Sequence, residues 1–125
     1  MFELTIRDTV YNFRFGMSFV REIDKTKTQK NDNGVEQNVG LQYAVAALID
    51  QDPVDVVTIL DIANKTEKPR VSRGILDEYI ECEDTDFEGL CNEILDFFTR
   101  ANCTKKKTQA VLEMVQQERD KRINQ

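Results

Sequence analysis

Along the first fifteen residues, hydrophobic and polar positions alternate. Phe2, Leu4 and Ile6 are set against Glu3, Thr5 and Arg7, then Tyr11, Phe13 and Phe15 against Asn12 and Arg14. A period of two puts the apolar set on one face, and two such runs around Asp8-Thr9 predict an antiparallel hairpin over residues 1–15 with that pair as its turn. A two-stranded hairpin is marginal in water by itself, so its aromatic face must pack on helices or on another subunit.

After Gly16 the period lengthens. Phe19, Val20 and Ile23 recur at helical spacing and predict a helix over residues 17–24. Residues 25–38 contain one aliphatic residue, Val35, and a turn signal at Asn33-Gly34; they read as a mobile polar loop or a loose second hairpin. Five helical stretches follow. The first carries Leu41, Ala44, Val45, Leu48 and Ile49 on one stripe. The second starts at Asp52-Pro53, an N-cap and a proline in the first helical position, with Val54, Val57, Leu60 and Ala63 expected inward. Pro69 closes that connection, and Ser72 caps a third helix bearing Ile75, Leu76, Tyr79 and Ile80. Thr85-Asp86-Phe87-Glu88 matches a capping box ahead of Leu90, Cys91, Ile94, Leu95, Phe97 and Phe98, the strongest stripe in the chain. Thr104 is the expected cap of a last helix with Val111, Leu112 and Val115 on one side, ending in charged residues through Arg122.

The fold class is therefore α+β and predominantly α: an N-terminal β-hairpin packed on about six helices. A length of 125 residues suits a single domain, 1–125, with the hairpin at 1–15 and the helical part at 39–122. Phe2, Leu4, Tyr11 and Phe13 are expected to meet Leu90, Ile94 and Phe98 in one core.

Composition narrows the chemistry. The chain has no histidine, which removes Ser-His-Asp and Cys-His triads and histidine-bearing zinc sites. Its three cysteines, Cys82, Cys91 and Cys103, form no Cys-x-x-Cys pair; without a secretory signal they are expected as reduced thiols in a cytoplasm. Cys91 shares a helical face with Leu95 and Phe98 and reads as a small core residue. No apolar run is long enough to span a bilayer.

The net charge of −6 is unevenly placed. Residues 74–99 hold nine acids and no base, leaving 14 acids against 17 bases elsewhere. A near-neutral body with one acidic segment argues against nucleic acid and for a partner carrying positive charge.

The acidic segment invites a metal reading, because Asp84-x-Asp86-x-Glu88-Gly89 resembles the start of a calcium loop. The twelfth position of that loop requires a bidentate carboxylate and here is Leu95, while the capping box accounts for the same residues. Asp77 and Glu81 lie one helical turn apart, but no base between residues 74 and 99 supports phosphoryl chemistry; a solvated acidic face is the plainer account. A chain without tryptophan offers little for stacking sugars, and no glycine-rich loop resembles a phosphate cradle. Lys105-Lys106-Lys107 is too isolated for a nucleic-acid signal, yet positive charge in a first helical turn opposes the helix dipole. No catalytic set, metal site or cofactor site emerges. Two regions are left as candidate partner-binding surfaces: Glu81, Glu83, Asp84 and Asp86, and the stripe Val111, Leu112 and Val115.

Three stretches carry a family likeness. Phe13-Arg14-Phe15-Gly16-Met17-Ser18-Phe19-Val20-Arg21-Glu22-Ile23-Asp24, Lys68-Pro69-Arg70-Val71-Ser72 leading into Asp77-Glu78-Tyr79-Ile80, and Asn92-Glu93-Ile94-Leu95-Asp96-Phe97-Phe98 with Arg100-Ala101-Asn102-Cys103-Thr104-Lys105-Lys106-Lys107 resemble the tail assembly chaperones of long-tailed phages and prophages of Gram-positive bacteria. The resemblance implies a non-enzymatic protein of the host cytoplasm that holds the helical tape-measure protein soluble while tail-tube subunits polymerise around it, and that is absent from the finished tail. It also implies the tape-measure protein, and the tail-tube protein, as partners. The open strand edges of the hairpin add an expectation of homo-oligomers. Two other classes compete: a tail-completion or head–tail connector subunit retained in the virion, and a small metal-dependent enzyme built on the acidic segment.

Overall fold

The computed structural model describes residues 1–123. Strand β1 (Phe2–Ile6) pairs antiparallel with β2 (Thr9–Phe13), Phe2 opposite Phe13 and Leu4 opposite Tyr11. The turn is Arg7-Asp8, both with positive φ (53° and 64°), one residue earlier than the expected Asp8-Thr9. Register explains the shift. Placing Thr9 opposite Ile6 puts Phe2, Leu4, Tyr11 and Phe13 on one buried face, and a slip of one residue would turn the second strand's aromatics to water.

Strand β2 ends at Phe13, short of Phe15, because the backbone there leaves the ladder: the Arg14 N–H donates to the carbonyl of Ala63 at 2.9 Å. Phe15 is buried all the same, 5.1 Å from Phe19 of α1 (Met17–Asp24) and 5.2 Å from Phe98 of α5 (Phe87–Arg100), centroid to centroid. Phe2 stands edge-on to Phe97 at 5.5 Å. Edge-to-face ring pairs thus join the hairpin to two helices, and Phe2, Leu4, Tyr11, Phe13, Leu90, Ile94 and Phe98 lie in one core as expected.

Residues 25–38 fold as the second hairpin of the two alternatives, β3 (Thr28–Lys30) against β4 (Glu36–Asn38), with every strand residue exposed. Its turn holds Gly34 at φ 78°, and the Asn31 carboxamide oxygen accepts from the backbone of Asn33 and Val35. The chain then enters α2 (Gly40–Asp50), α3 (Pro53–Asn64), α4 (Arg73–Glu81), α5 and α6 (Lys105–Ile123). Gly40 sits where α2 starts against the end of α1; a Cβ there would fall 1.7 Å from the Ile23 carbonyl oxygen.

The expected caps at Asp52 and Ser72 are in place, accepting from Val54 and Asp55 and from Ile75. Two others differ. Asp86, not Thr85, caps α5 by accepting from the Gly89 N–H at 2.9 Å, and Thr85 donates back to the Tyr79 carbonyl at 2.6 Å. Thr104 likewise donates its hydroxyl to the Phe98 carbonyl at 2.8 Å rather than serving the helix ahead of it. Both threonines close the preceding helix, whose last carbonyls need donors. Val54, expected inward, is 74% exposed. Helix α3 packs on α1, α2, α4 and β2 and buries Val56, Ile59 and Ile62 besides Val57, Leu60 and Ala63.

Candidate functional site

The first candidate region is the turn between α4 and α5. Glu81, Glu83, Asp84 and Asp86 are all exposed, and none of the four forms an ion pair among the described residues. Asp86 has a structural duty as the α5 cap; Glu81, Glu83 and Asp84 have no hydrogen-bond duty to the fold. The turn faces the tip of the first hairpin, where Arg7 pairs with Glu78. Between them lies a cleft of about 460 Å³ that holds Asp84 and Asp86 together with Ile6, Arg7 and Tyr79. Burial, then the nearby Glu93 and Cys82, push the Tyr79 phenol above its ordinary pKa. The phenol is a neutral hydrogen-bonding group at neutral pH, and Ile6 and Tyr79 line the cleft beside the Glu78, Asp84 and Asp86 carboxylates and the Arg7 guanidinium.

The second region is α6. Of its 19 residues only Thr108 and Val111 are buried. Val111 belongs to the common core, Val115 packs partly against it, and Leu112 is half-buried. Met114, absent from the sequence-derived candidates, is 64% exposed and lines a groove of about 450 Å³ with Val111 and Val115 on one side and Ala46 and Ile49 of α2 on the other. Asp50, Glu118, Arg119 and Arg122 rim it. The structure brings Asp84 to Asp86 and Val111 to Val115, but the two clefts share no lining residue. Met114 was legible as an extra apolar position one turn beyond Val111; nothing in the pattern placed α2 opposite it.

The family-like stretches prove to be structural. Asp24, last in α1, accepts from the Leu41 N–H at the head of α2. Arg70 grips Asp61 at 2.8 Å and also donates to the Asn64 carboxamide oxygen. Asn64, fully buried, accepts in addition from the Val71 N–H at 2.7 Å and donates to the carbonyls of Asn12 and Pro69. Arg73 reaches the other Asp61 oxygen at 3.3 Å. Polar Asp61 and Asn64 in the otherwise apolar second half of α3 were the signal for this network, since a buried polar group must find partners. Through these bonds Pro69, Arg70 and Val71, with Asn64 and Asp61, fasten the hairpin, α3 and α4 to one another.

Among the described residues no group of three or more His, Cys, Asp or Glu side chains is arranged to hold a metal ion, and no helix is long and apolar enough to cross a membrane. A family model described as "Phage tail assembly chaperone protein, TAC" matches residues 3–113, from β1 into the first half of α6. No curated protein and no solved structure matches the chain.

Proposed function

The chain belongs to the phage tail assembly chaperone family, and on that premise we propose that it binds the tape-measure protein and keeps it soluble while the tail tube assembles. The observation that carries this reading is the family match over residues 3–113. The work is done by binding, without catalysis or cofactor, in a single domain of residues 1–125 in the cytoplasm of the bacterial host. The tail-tube protein is the second partner: it competes for the same client surface and so releases the chaperone, which does not remain in the virion.

The client contacts proposed are the acidic rim, Glu81, Glu83, Asp84 and Asp86, and the α6 stripe, Val111, Leu112 and Val115. Unpaired exposed carboxylates attract a client with positive charge, and an apolar groove between two helices suits a client helix laid into it. Strand β1 is hydrogen-bonded to β2 on one side only, which supports self-association through its other edge.

Co-expression with the tape-measure protein of the same phage tests the reading. The expected result is a soluble complex that survives affinity purification and tape-measure protein that precipitates when the chaperone is omitted. Tape-measure protein equally soluble alone, or this chain at full stoichiometry in purified virions, would overturn it. Sedimentation at micromolar concentration should show dimers or larger species; a lone 14.5 kDa species would remove the self-association.

A further inference from the structure

Strand β1 carries a row of unused backbone groups. Both turn residues, Arg7 and Asp8, have positive φ, and the bond that closes such a turn joins Ile6 to Thr9. Antiparallel ladders alternate, so Ile6, Leu4 and Phe2 bond to β2 while the N–H and C=O groups of Glu3 and Thr5 point away from it. Neither residue finds another backbone partner among the described residues, and both are exposed. The same alternation turns Asn12 and Arg14 outward on the far side of β2, but that edge is taken. The Asn12 carbonyl accepts from the Asn64 carboxamide at 3.0 Å, and the Arg14 N–H donates to the Ala63 carbonyl, so α3 seals it. Each hairpin therefore offers one open edge. Two such edges that pair with each other leave none to extend, which makes a closed pair and not a fibre.

The register of that pairing is restricted. A two-fold axis centred on Glu3 sets the two glutamates directly opposite, which is unfavourable. An axis centred on Thr5 recruits Arg7, whose left-handed backbone has left the strand. An axis centred on Leu4 sets Glu3 opposite the second copy's Thr5, and each such pair exchanges both of its bonds, about four in all. Phe2 then lies opposite the second copy's Ile6, and the apolar faces of both strands stay on the helix side.

The surroundings of β1 favour a second copy over an unrelated strand. At the Phe2 end stands Phe97, edge-on at 5.5 Å, with the Arg100 guanidinium over its ring at 5.0 Å. At the Ile6 end is the cleft holding Asp84 and Asp86, within a stretch from residue 74 to 99 that has no base. Antiparallel pairing brings each copy's Phe2 end to the other's Ile6 end, so Arg100 approaches the second copy's Asp84 and Asp86, twice over by symmetry. The tie of Arg100 within its own chain, to Asp96, is an exposed pair of small worth. Glu81 and Glu83 do not line that cleft and stay free for a client. We infer that a second copy of this chain adds to the β1 edge in the Leu4-centred register and forms a closed dimer with one continuous antiparallel sheet. The inference rests on the self-association read above and adds its symmetry, register and charge contacts; it does not depend on the client.

Two measurements on the full chain test it. In the wild-type protein, hydrogen exchange at the Glu3 and Thr5 amides should slow at least tenfold as concentration rises through the association range. Exchange at those two amides that ignores concentration while the protein associates would overturn the interface. In the second, Glu3→Cys and Thr5→Cys are made as separate variants, each with Cys82→Ser and Cys103→Ser. The inferred register puts residue 3 about 5.5 Å from the second copy's residue 5, within disulfide reach, and two copies of residue 3, or of residue 5, roughly 9 Å apart and beyond it. Refolded together and mildly oxidised, the two variants should give covalent dimer at least tenfold faster than either alone, and Arg100→Glu in both should slow the reaction. Fast cross-linking of either variant by itself would overturn the register. Association in sedimentation without cross-linking in any combination would overturn the interface and leave self-association standing. A lone 14.5 kDa species would remove both.

Discussion

The carboxylate of Asp24, at the end of α1, accepts a hydrogen bond at 3.2 Å from the backbone N–H of Leu41, seventeen residues away at the start of α2. Val39 precedes α2 without a side-chain cap, so Asp24 serves as one from a distance. Asp24→Ala should destabilise the fold by about 1–2 kcal/mol, the worth of a cap carrying negative charge at a helix N-terminus. Asp24→Asn, which keeps the acceptor, should recover most of that in urea titration. A loss below about 0.3 kcal/mol for the alanine variant would show that α2 does not need the contact.

Asn64 is the most heavily bonded side chain in the interior. Asn64→Ala strands the Val71 N–H and the Asn12 and Pro69 carbonyls and removes an Arg70 partner. Several buried groups lose partners at once, so the cost should reach about 3 kcal/mol or more. Chemical denaturation measures it, and a cost under about 1 kcal/mol would mean that water replaces the carboxamide.

Phe98 is fully buried and touches the rings of Phe15 and Phe19. Phe98→Ala should cost about 3–5 kcal/mol through lost burial and a residual cavity. Cooperative unfolding with the hairpin and helices melting together is expected; separate transitions would show that the hairpin is not part of the same unit.

The acidic rim is tested by charge. Glu83→Lys with Asp84→Lys should leave the melting temperature nearly unchanged, since neither side chain bonds to the fold. Binding to the tape-measure protein should weaken and lose salt dependence, because screening acts on exposed charge. Unchanged affinity and salt slope in titration calorimetry would place the client elsewhere.

The three thiols should separate by reactivity. Cys82 is exposed, Cys103 intermediate, and Cys91 buried with its thiol pushed above its ordinary pKa by that burial. Alkylation of the native protein should label Cys82 first and Cys91 only on unfolding, read by peptide mass spectrometry. The folded state holds the Cys91 proton more tightly than the unfolded state does. The stability linked to that thiol is thus complete at neutral pH and declines as pH rises above about 9, its ordinary pKa. Native-state labelling of Cys91 as fast as Cys82 would contradict the packing of α5.

Features whose partners lie close along the chain are legible from the residues alone. The two-residue period of Phe2, Leu4 and Ile6 marks a strand face, and Asp52-Pro53 and Ser72 mark helix starts, because a cap reaches only to the next turn. The stripe of Leu90, Cys91, Ile94 and Phe98 marks a buried face for the same local reason. Helix α3 exposes the limit: with apolar residues around most of its circumference, no stripe tells the exposed Val54 from the buried Val56.

Tertiary structure decided every choice among competing partners. Thr85 and Thr104 each had a helix ahead to cap and a helix behind to close, and both turned back. Asp24 capped a helix it does not precede, and Asp61 and Asn64 took on Arg70, Arg73 and the hairpin carbonyl of Asn12. The acidic turn and the α6 stripe were readable as features, but their companions, the hairpin tip and the flank of α2, were not. The reason is common to all of these. Periodicity states which side of an element avoids water, and a hydrogen-bonding group states that it needs a partner. Which surface or atom meets that need is set only when distant segments are brought together and packed.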